Sequence, residues 1–331
     1  MKPDPKQTHV ARELAGAAPL ICCRFDPSGK YLFTTAEDQS VNRVNLTSGE
    51  SVAMLGHDSW ARDLAFSKDG KTVVSSGFDD TLIWWPVEAE KPKPIRSVKA
   101  HKGWIRTVSV SPDGRLLASG GNDRIVRLWN MADGKLVREM PGHTLDIYSS
   151  VFHPSGKWLL TGDLAGKINQ WDVATGKLTR VFEGPDLHDY FKSQQVHFGG
   201  VRSLTFSPDG KQLVGAGLHK GTNPLGAVCE PLILRFDWET GKQSLKQTMK
   251  GVKGVAWRIR FLKDGTLALG SGGSGGGYLG FWNGKDEAPI HKFKLPRSVR
   301  EMDLHPDGMQ IATAHWDNKA RLSRMEAKAK A

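Results

Sequence analysis

Histidine, a hydroxyl side chain and aspartate are the equipment of a hydrolase, and this chain carries them twice at identical spacing. The sets are His57, Ser75 and Asp79, then His101, Ser119 and Asp123, each closed six residues later by a tryptophan, Trp85 or Trp129. Covalent catalysis needs one such constellation, whereas a trio that returns in successive segments is a packing device. A third set keeps His143, Thr161 and Trp171 but has Ala165 where the aspartate should stand. Three further groups invite a chemical reading. Asp63 and Glu301 are candidates for a general acid and base. His188, His197 and His219 could ligate a metal, yet no short fixed spacing ties them together, so neither metal nor cofactor is expected. The run Gly270 to Gly277 has the glycine content of a phosphate loop. No Gly-Lys-Ser/Thr follows it, and Tyr278 to Trp282 continues as a strand where that motif demands a helix, so a flexible connection is expected.

The elements that must position these residues are short. Between His101 and His143 lie four apolar runs separated by Ser111-Pro112-Asp113-Gly114, Gly121-Asn122-Asp123 and Ala132-Asp133-Gly134. Proline, glycine and side-chain-bonding Asp or Asn at these places reverse the chain, which makes a four-stranded antiparallel meander, with strands a to d. The pattern recurs around Gly29, Gly70, Gly114, Gly156, Gly210, Gly265 and Gly308. In five copies the third strand ends fifteen residues after that glycine, at Val44, Trp85, Trp129, Trp171 and Ser323. In copies five and six the matching aromatics, Phe236 and Trp282, come later, which places insertions between strands b and c.

A repeat of a little over forty residues that opens with Gly56-His57 or Gly142-His143 and closes with Trp171-Asp172, with the variants Trp129-Asn130, Phe236-Asp237 and Trp282-Asn283, resembles the WD-repeat family. The resemblance implies an all-β fold, a single seven-bladed β-propeller of four-stranded antiparallel blades. It also implies that His57, Ser75, Asp79 and Trp85, and likewise His101, Ser119, Asp123 and Trp129, form buried hydrogen-bond networks with a structural role. Asp38 with Thr34 and Asp317 with Thr313 stand at equivalent places in the first and last copies. The expected boundaries are blade 1 about 17–55, blade 2 about 57–99, blade 3 about 101–141, blade 4 about 143–184, an inserted loop 185–199, and blade 5 about 200–250 with an inserted loop 218–230. Blade 6 follows at about 254–295, blade 7 at about 297–325, and a basic tail at 328–331. Copy seven has no fourth strand of its own, and Val10 to Gly16 aligns with the fourth strand of copy three. The N-terminal strand 8–15 is therefore expected to complete the last blade and remove the open edge.

In such a meander the b–c and d–a connections share one end. The insertions 185–199 and 218–230 and the longer loop Ser271 to Gly277 fall there together, and per-repeat insertions on one face are often a binding face. The first contributes Tyr190, Phe191 and Phe198. Residues beginning the first strands collect at the same end: Arg62, Arg106, Tyr148, Arg202, Trp257 and Arg300, with Trp60 and Trp104 two residues earlier in their copies and Trp316 and Phe78 in neighbouring loops. Arginine and aromatics are the side chains that protein-binding surfaces favour. The expected function is a non-catalytic scaffold for a protein or peptide, with blades 4 to 6 giving specificity. The alternative is a hydrolase-like propeller enzyme with its site at the channel mouth near Asp63 and Glu301, although Arg24, Arg258 and Arg260 fall close by in the alignment and point to ion pairing instead.

Bulk properties narrow the field modestly. The net charge is +11, so attraction to an anionic ligand or a nucleic acid through Lys91 to Lys102 or Arg321 to Lys330 is a third reading, weakened by the scarcity of aromatics in both runs. Cys22, Cys23 and Cys229 are an odd number, two of them adjacent, and are read as reduced packing thiols. No apolar run reaches the roughly 18 residues of a membrane span. A soluble, cytoplasmic, monomeric protein without a cofactor is expected.

Overall fold

The computed structural model describes residues 2–223 and 228–328. Seven four-stranded antiparallel sheets stand in a ring. Blades 1 to 6 are meanders beginning at Leu20–Phe25, Ala61–Phe66, Ile105–Val110, Ile147–Phe152, Ser203–Phe206 and Val255–Phe261. The first strands of successive blades touch one another all the way round, with that of blade 7 (Val299–Leu304) against that of blade 1. The fourth strand of blade 7 is Thr8–Ala15, antiparallel to Lys319–Met325, with Leu14 opposite Ala320 and one register shift between Val10 and Arg12. Closure is thus made by pairing the two ends of the chain.

Apolar residues alternate along the strands and fill the spaces between blades. Between blades 1 and 2, for instance, Phe33 and Val41 pack with Leu64, Val73, Ile83 and Trp85. The recurring polar sets lie within this core. In blade 2 the Trp85 indole donates to Ser75 Oγ at 2.9 Å, Ser75 Oγ is 2.7 Å from His57 Nε2, and His57 Nδ1 is 3.0 Å from Asp79. Because Ser75 Oγ accepts from the indole, its own proton goes to Nε2, which leaves the imidazole proton on Nδ1 facing the carboxylate. Blade 3 repeats the chain through Trp129, Ser119, His101 and Asp123. Burial is the largest single influence on Asp79 and Asp123 and opposes their charge, but the histidine hydrogen bond, the histidine charge and the further donors around each carboxylate together outweigh it and hold both carboxyls below their ordinary range.

Blade 4 corrects the sequence reading. The gap at Ala165 is filled from two residues earlier, where Asp163 accepts from His143 Nδ1 at 2.8 Å while Thr161 receives the Trp171 indole at 2.7 Å. The aspartate comes from the end of strand b instead of the b–c turn, so spacing alone did not reveal it. Asp163→Ala is expected to cost about 1–3 kcal/mol of folding free energy, measured by urea denaturation, because His143 would keep a buried unpaired donor. Blade 7 solves the same problem differently, with His315 Nε2 2.8 Å from Thr313 Oγ1 and Nδ1 facing the carbonyls of Arg297 and Ser298.

The glycine run is a correction of another kind. Leu267–Gly273 and Gly276–Trp282 form a tight hairpin in register to its tip, with Gly272 opposite Gly277. Its glycines permit close backbone approach: a Cβ on Gly272 would lie 1.9 Å from Val299 O, and one on Gly277 2.0 Å from Arg297 O. Gly272→Ala should therefore force blades 6 and 7 apart and cost about 1–3 kcal/mol, again read from the denaturation midpoint. The insertion after Gly217 is likewise mostly ladder, since Leu218 pairs with Pro231 and His219 with Glu230. Residues 224–227, and all but Lys328 of the basic tail, lie outside the described residues.

Candidate functional site

Six of the seven blades carry a β-bulge in the same place. The register of the first strand skips one residue between Leu20 and Cys22, Ala61 and Asp63, Ile105 and Thr107, Ile147 and Ser149, Ala256 and Arg258, and Val299 and Glu301. A bulge leaves its extra residue outside the ladder and re-aims that side chain. The residues so released are Ile21, Arg62, Arg106, Tyr148, Trp257 and Arg300. In blade 5 the equivalent residue is Arg202, immediately before strand a, whose N–H donates to Ala216 O. All seven line one cavity of about 150 Å³, with Trp60 and Phe78 completing its wall.

The side chains in this ring hold one another by stacking. Two guanidiniums lie over the Tyr148 ring, Arg202 at 3.9 Å and Arg106 at 4.4 Å from its centre. Arg106 also lies over Trp104, which stacks on Phe78 at 4.3 Å. Arg300 covers Trp316 at 3.9 Å and donates to Glu37 at 2.7 Å. Desolvation lowers the pKa of Arg106 and of Arg300, and in both the neighbouring Arg62 adds to the effect.

The seven-blade ring and its bulges come with a sequence profile: the repeat described as "WD domain, G-beta repeat" matches residues 9–42, 49–86, 92–130, 134–172, 190–222 and 288–322. The chain belongs to the WD-repeat family. The profile leaves 223–287 unmatched, the stretch that holds the glycine-rich first three strands of blade 6. Among curated relatives, the chain is 35% identical over 83 residues to transducin beta-like protein 3 of Rattus norvegicus, 25% of this chain and 10% of the relative. It is 32% identical over 76 residues to nuclear distribution protein PAC1 of Arthroderma otae, 23% and 16% of the two chains. Against WD repeat-containing protein 62 of Mus musculus it is 31% identical over 72 residues, 22% and 5%. The chain thus spans a small fraction of these relatives' own length, and what they share with it is a short run of repeats. WD-repeat proteins of this kind are generally non-catalytic scaffolds.

The WD-repeat ring gathers some predicted residues and leaves others apart. Trp60, Arg62, Arg106, Tyr148, Arg202, Trp257 and Arg300 share the cavity, and Trp104 and Trp316 flank it, 44% and 52% exposed. Tyr190 and Phe191 do not line it. They belong to a separate hairpin, His188–Phe191 with Val196–Gly199. That hairpin docks on blade 5 through Asp189, which accepts from Gly221 N at 3.1 Å. Phe198 is a half-buried anchor, packed with Trp257 on Leu218, Cys229 and Val255, so it joins the hairpin to the ring and presents little surface of its own. Ile21 and Glu37 were missed, and a common bulge offset counted from each turn glycine would have found Ile21.

Deeper in the channel, the WD-repeat positions after each bulge include Cys22, Asp63, Arg258 and Glu301. Glu301 receives Arg258 at 2.7 and 3.0 Å, and Asp63 receives Arg24 at 2.7 Å and Arg258 at 3.2 Å. Asp63 and Glu301 are 3% and 1% exposed. Cys22 Sγ, Asp63 and Glu301 offer ligand atoms within 4.8 Å of one another, the only such group among the described residues. The arrangement does not suit a cation: guanidiniums already occupy the carboxylate oxygens, and burial holds the Cys22 thiol well above its ordinary pKa. His188 and His197 contact each other at 2.8 Å, while His219 faces Glu230 at 3.7 Å. Cys22 and Cys23 are buried free thiols, and Cys229 is buried as well. Among the described residues no helix is long and apolar enough to cross a membrane.

Proposed function

We propose that this chain is a protein- or peptide-binding scaffold that engages its partner on the face carrying the b–c and d–a loops, with blades 4 to 6 conferring specificity. The observation that carries the reading is the convergence of one residue from each of seven blades, six of them released by bulges, on one aromatic and arginine-lined cavity. Bulges displace ladder hydrogen bonds, and fold stability alone gives no reason to place them where they gather arginines and aromatics at one mouth. Trp60, Trp104 and Trp316 surround the mouth as exposed aromatics, and the 188–199 hairpin extends the same face toward blade 5. Affinity capture from native lysate with the intact protein, set beside one whose Pro185 to Gly199 segment is cut to a short turn, tests the specificity claim. Loss of captured proteins is expected, and identical capture by both contradicts it.

A further inference from the structure

The chemistry of the partner can be taken further, resting on the scaffold reading above. The cavity is lined by four guanidiniums, Arg62, Arg106, Arg202 and Arg300, and by no carboxylate. Deeper in the channel, Arg24 and Arg258 are matched by Asp63 and Glu301. At the mouth the matching is incomplete. Arg300 has Glu37 at 2.7 Å, but Arg106 reaches Asp146 only at 3.8 Å and Arg62 reaches Glu301 only at 3.8 Å. Among the described residues the Arg202 guanidinium is held by ring faces, Tyr148 at 3.9 Å and Trp257 at 5.7 Å. Arg62 Nη1 and Arg202 Nε are buried without a hydrogen-bond partner among the described residues. Buried donors cost free energy when unmade, and hydrogen bonds to charged groups are the strong ones.

We propose that the channel mouth receives an anionic side chain, a carboxylate or a phosphoryl group, projecting from a partner peptide. Arg202, fixed by stacking and with its fork of donors unspent, makes the primary contact, and Arg62 makes the second. A cavity of about 150 Å³ is below the roughly 300–1,000 Å³ of small-molecule sites, which suits one side-chain head delivered by a chain that rests on the exposed tryptophans. Nucleic acid would need a basic stripe that neutralises successive phosphates, and this is a single cationic point.

The test uses the full chain and three immobilised peptide libraries with common random flanks and a central Glu, phosphoserine or Gln. The wild type is expected to bind at least one anionic library about tenfold more tightly than the Gln library, the size of one charge-assisted hydrogen bond. Arg202→Gln should abolish that difference. Arg180→Gln, whose guanidinium lies instead over Phe182 and Trp238, should keep it. Melting curves verify folding, and Arg62→Gln replaces the first variant should Arg202→Gln unfold. The Glu and phosphoserine arms distinguish the two oxyanions, and preference for either supports the proposal. Equal binding of all three libraries overturns the anionic preference while leaving the scaffold reading intact. Preferential binding of a single-stranded oligonucleotide that Arg202→Gln abolishes overturns it in favour of nucleic acid. Binding of no library also overturns it, and the lysate capture then judges the scaffold reading separately.

Discussion

Deleting residues 1–16 should lower the melting temperature by on the order of 10 °C. The deleted segment contains the fourth strand of blade 7, and its loss exposes the whole hydrogen-bonding edge of Lys319–Met325. Leu14, 7% exposed, leaves a cluster with Leu20, Leu32 and Leu322, and burying one such side chain stabilises by about 1.5–3 kcal/mol. Glu13 leaves Arg321 and Lys319, to which it is paired. The effect should exceed the sum of these contacts, because the strand is what joins the last blade to the chain's beginning and closes the ring. Differential scanning calorimetry reads the change, and a synthetic peptide of residues 1–18 added in trans should restore part of it by mass action. An unchanged melting curve would contradict a ring held shut by this strand.

Glu301→Ala should cost about 3–5 kcal/mol, since it leaves buried guanidiniums uncompensated. Arg258 would lose two hydrogen bonds and Arg24 a carboxylate at 3.4 Å. The loss should change little between low and high salt, because buried pairs are poorly screened. The apolar pair Arg258→Met with Glu301→Leu should recover part of it, as matched replacement of buried ions often does. Chemical denaturation with both variants separates two accounts of these carboxylates. Residues kept for catalysis are commonly held at the expense of stability, so their replacement is neutral or stabilising. A stabilised Glu301→Ala would revive the hydrolase-like reading.

Acid supplies a third expectation. Burial first, then Arg321, pushes His315 down to about 4 from its ordinary 6.5. Between about 6.5 and about 4 the unfolded chain takes up a proton that the folded one refuses, so this residue makes stability fall as pH falls through that window. His315→Gln should flatten that part of the stability profile, measured by urea midpoints at several pH values. An unchanged slope would contradict a neutral, buried His315.

Much of the architecture was legible because each blade must reverse its chain at the same places. Turn glycines marked seven copies, tryptophans that reach the hydroxyls of strand b reinforced three of them, and the N-terminal strand was visible from its likeness to the fourth strand of copy three. Substitutions that keep a role but move its source were invisible. Asp163 comes from a neighbouring position in blade 4, and His315 comes from strand b in place of the missing Gly-His. The glycine run misled because close backbone contact and flexibility demand the same residue type. The arginine and aromatic residues of the mouth were legible by alignment as collecting at one end, but their meeting in a single cavity was not, since a bulge changes where a side chain points without changing its place in the repeat.

Partner binding is proposed at the bulge-lined mouth and its neighbouring hairpin. Photo-crosslinking tests it most directly, with benzoylphenylalanine placed at Trp104 or Tyr190 on that face and at Glu239, in a c–d turn at the opposite end of the blades, as the comparison. Crosslinked partner proteins are expected from positions 104 and 190 and none from 239. Crosslinks from 239 alone would contradict it.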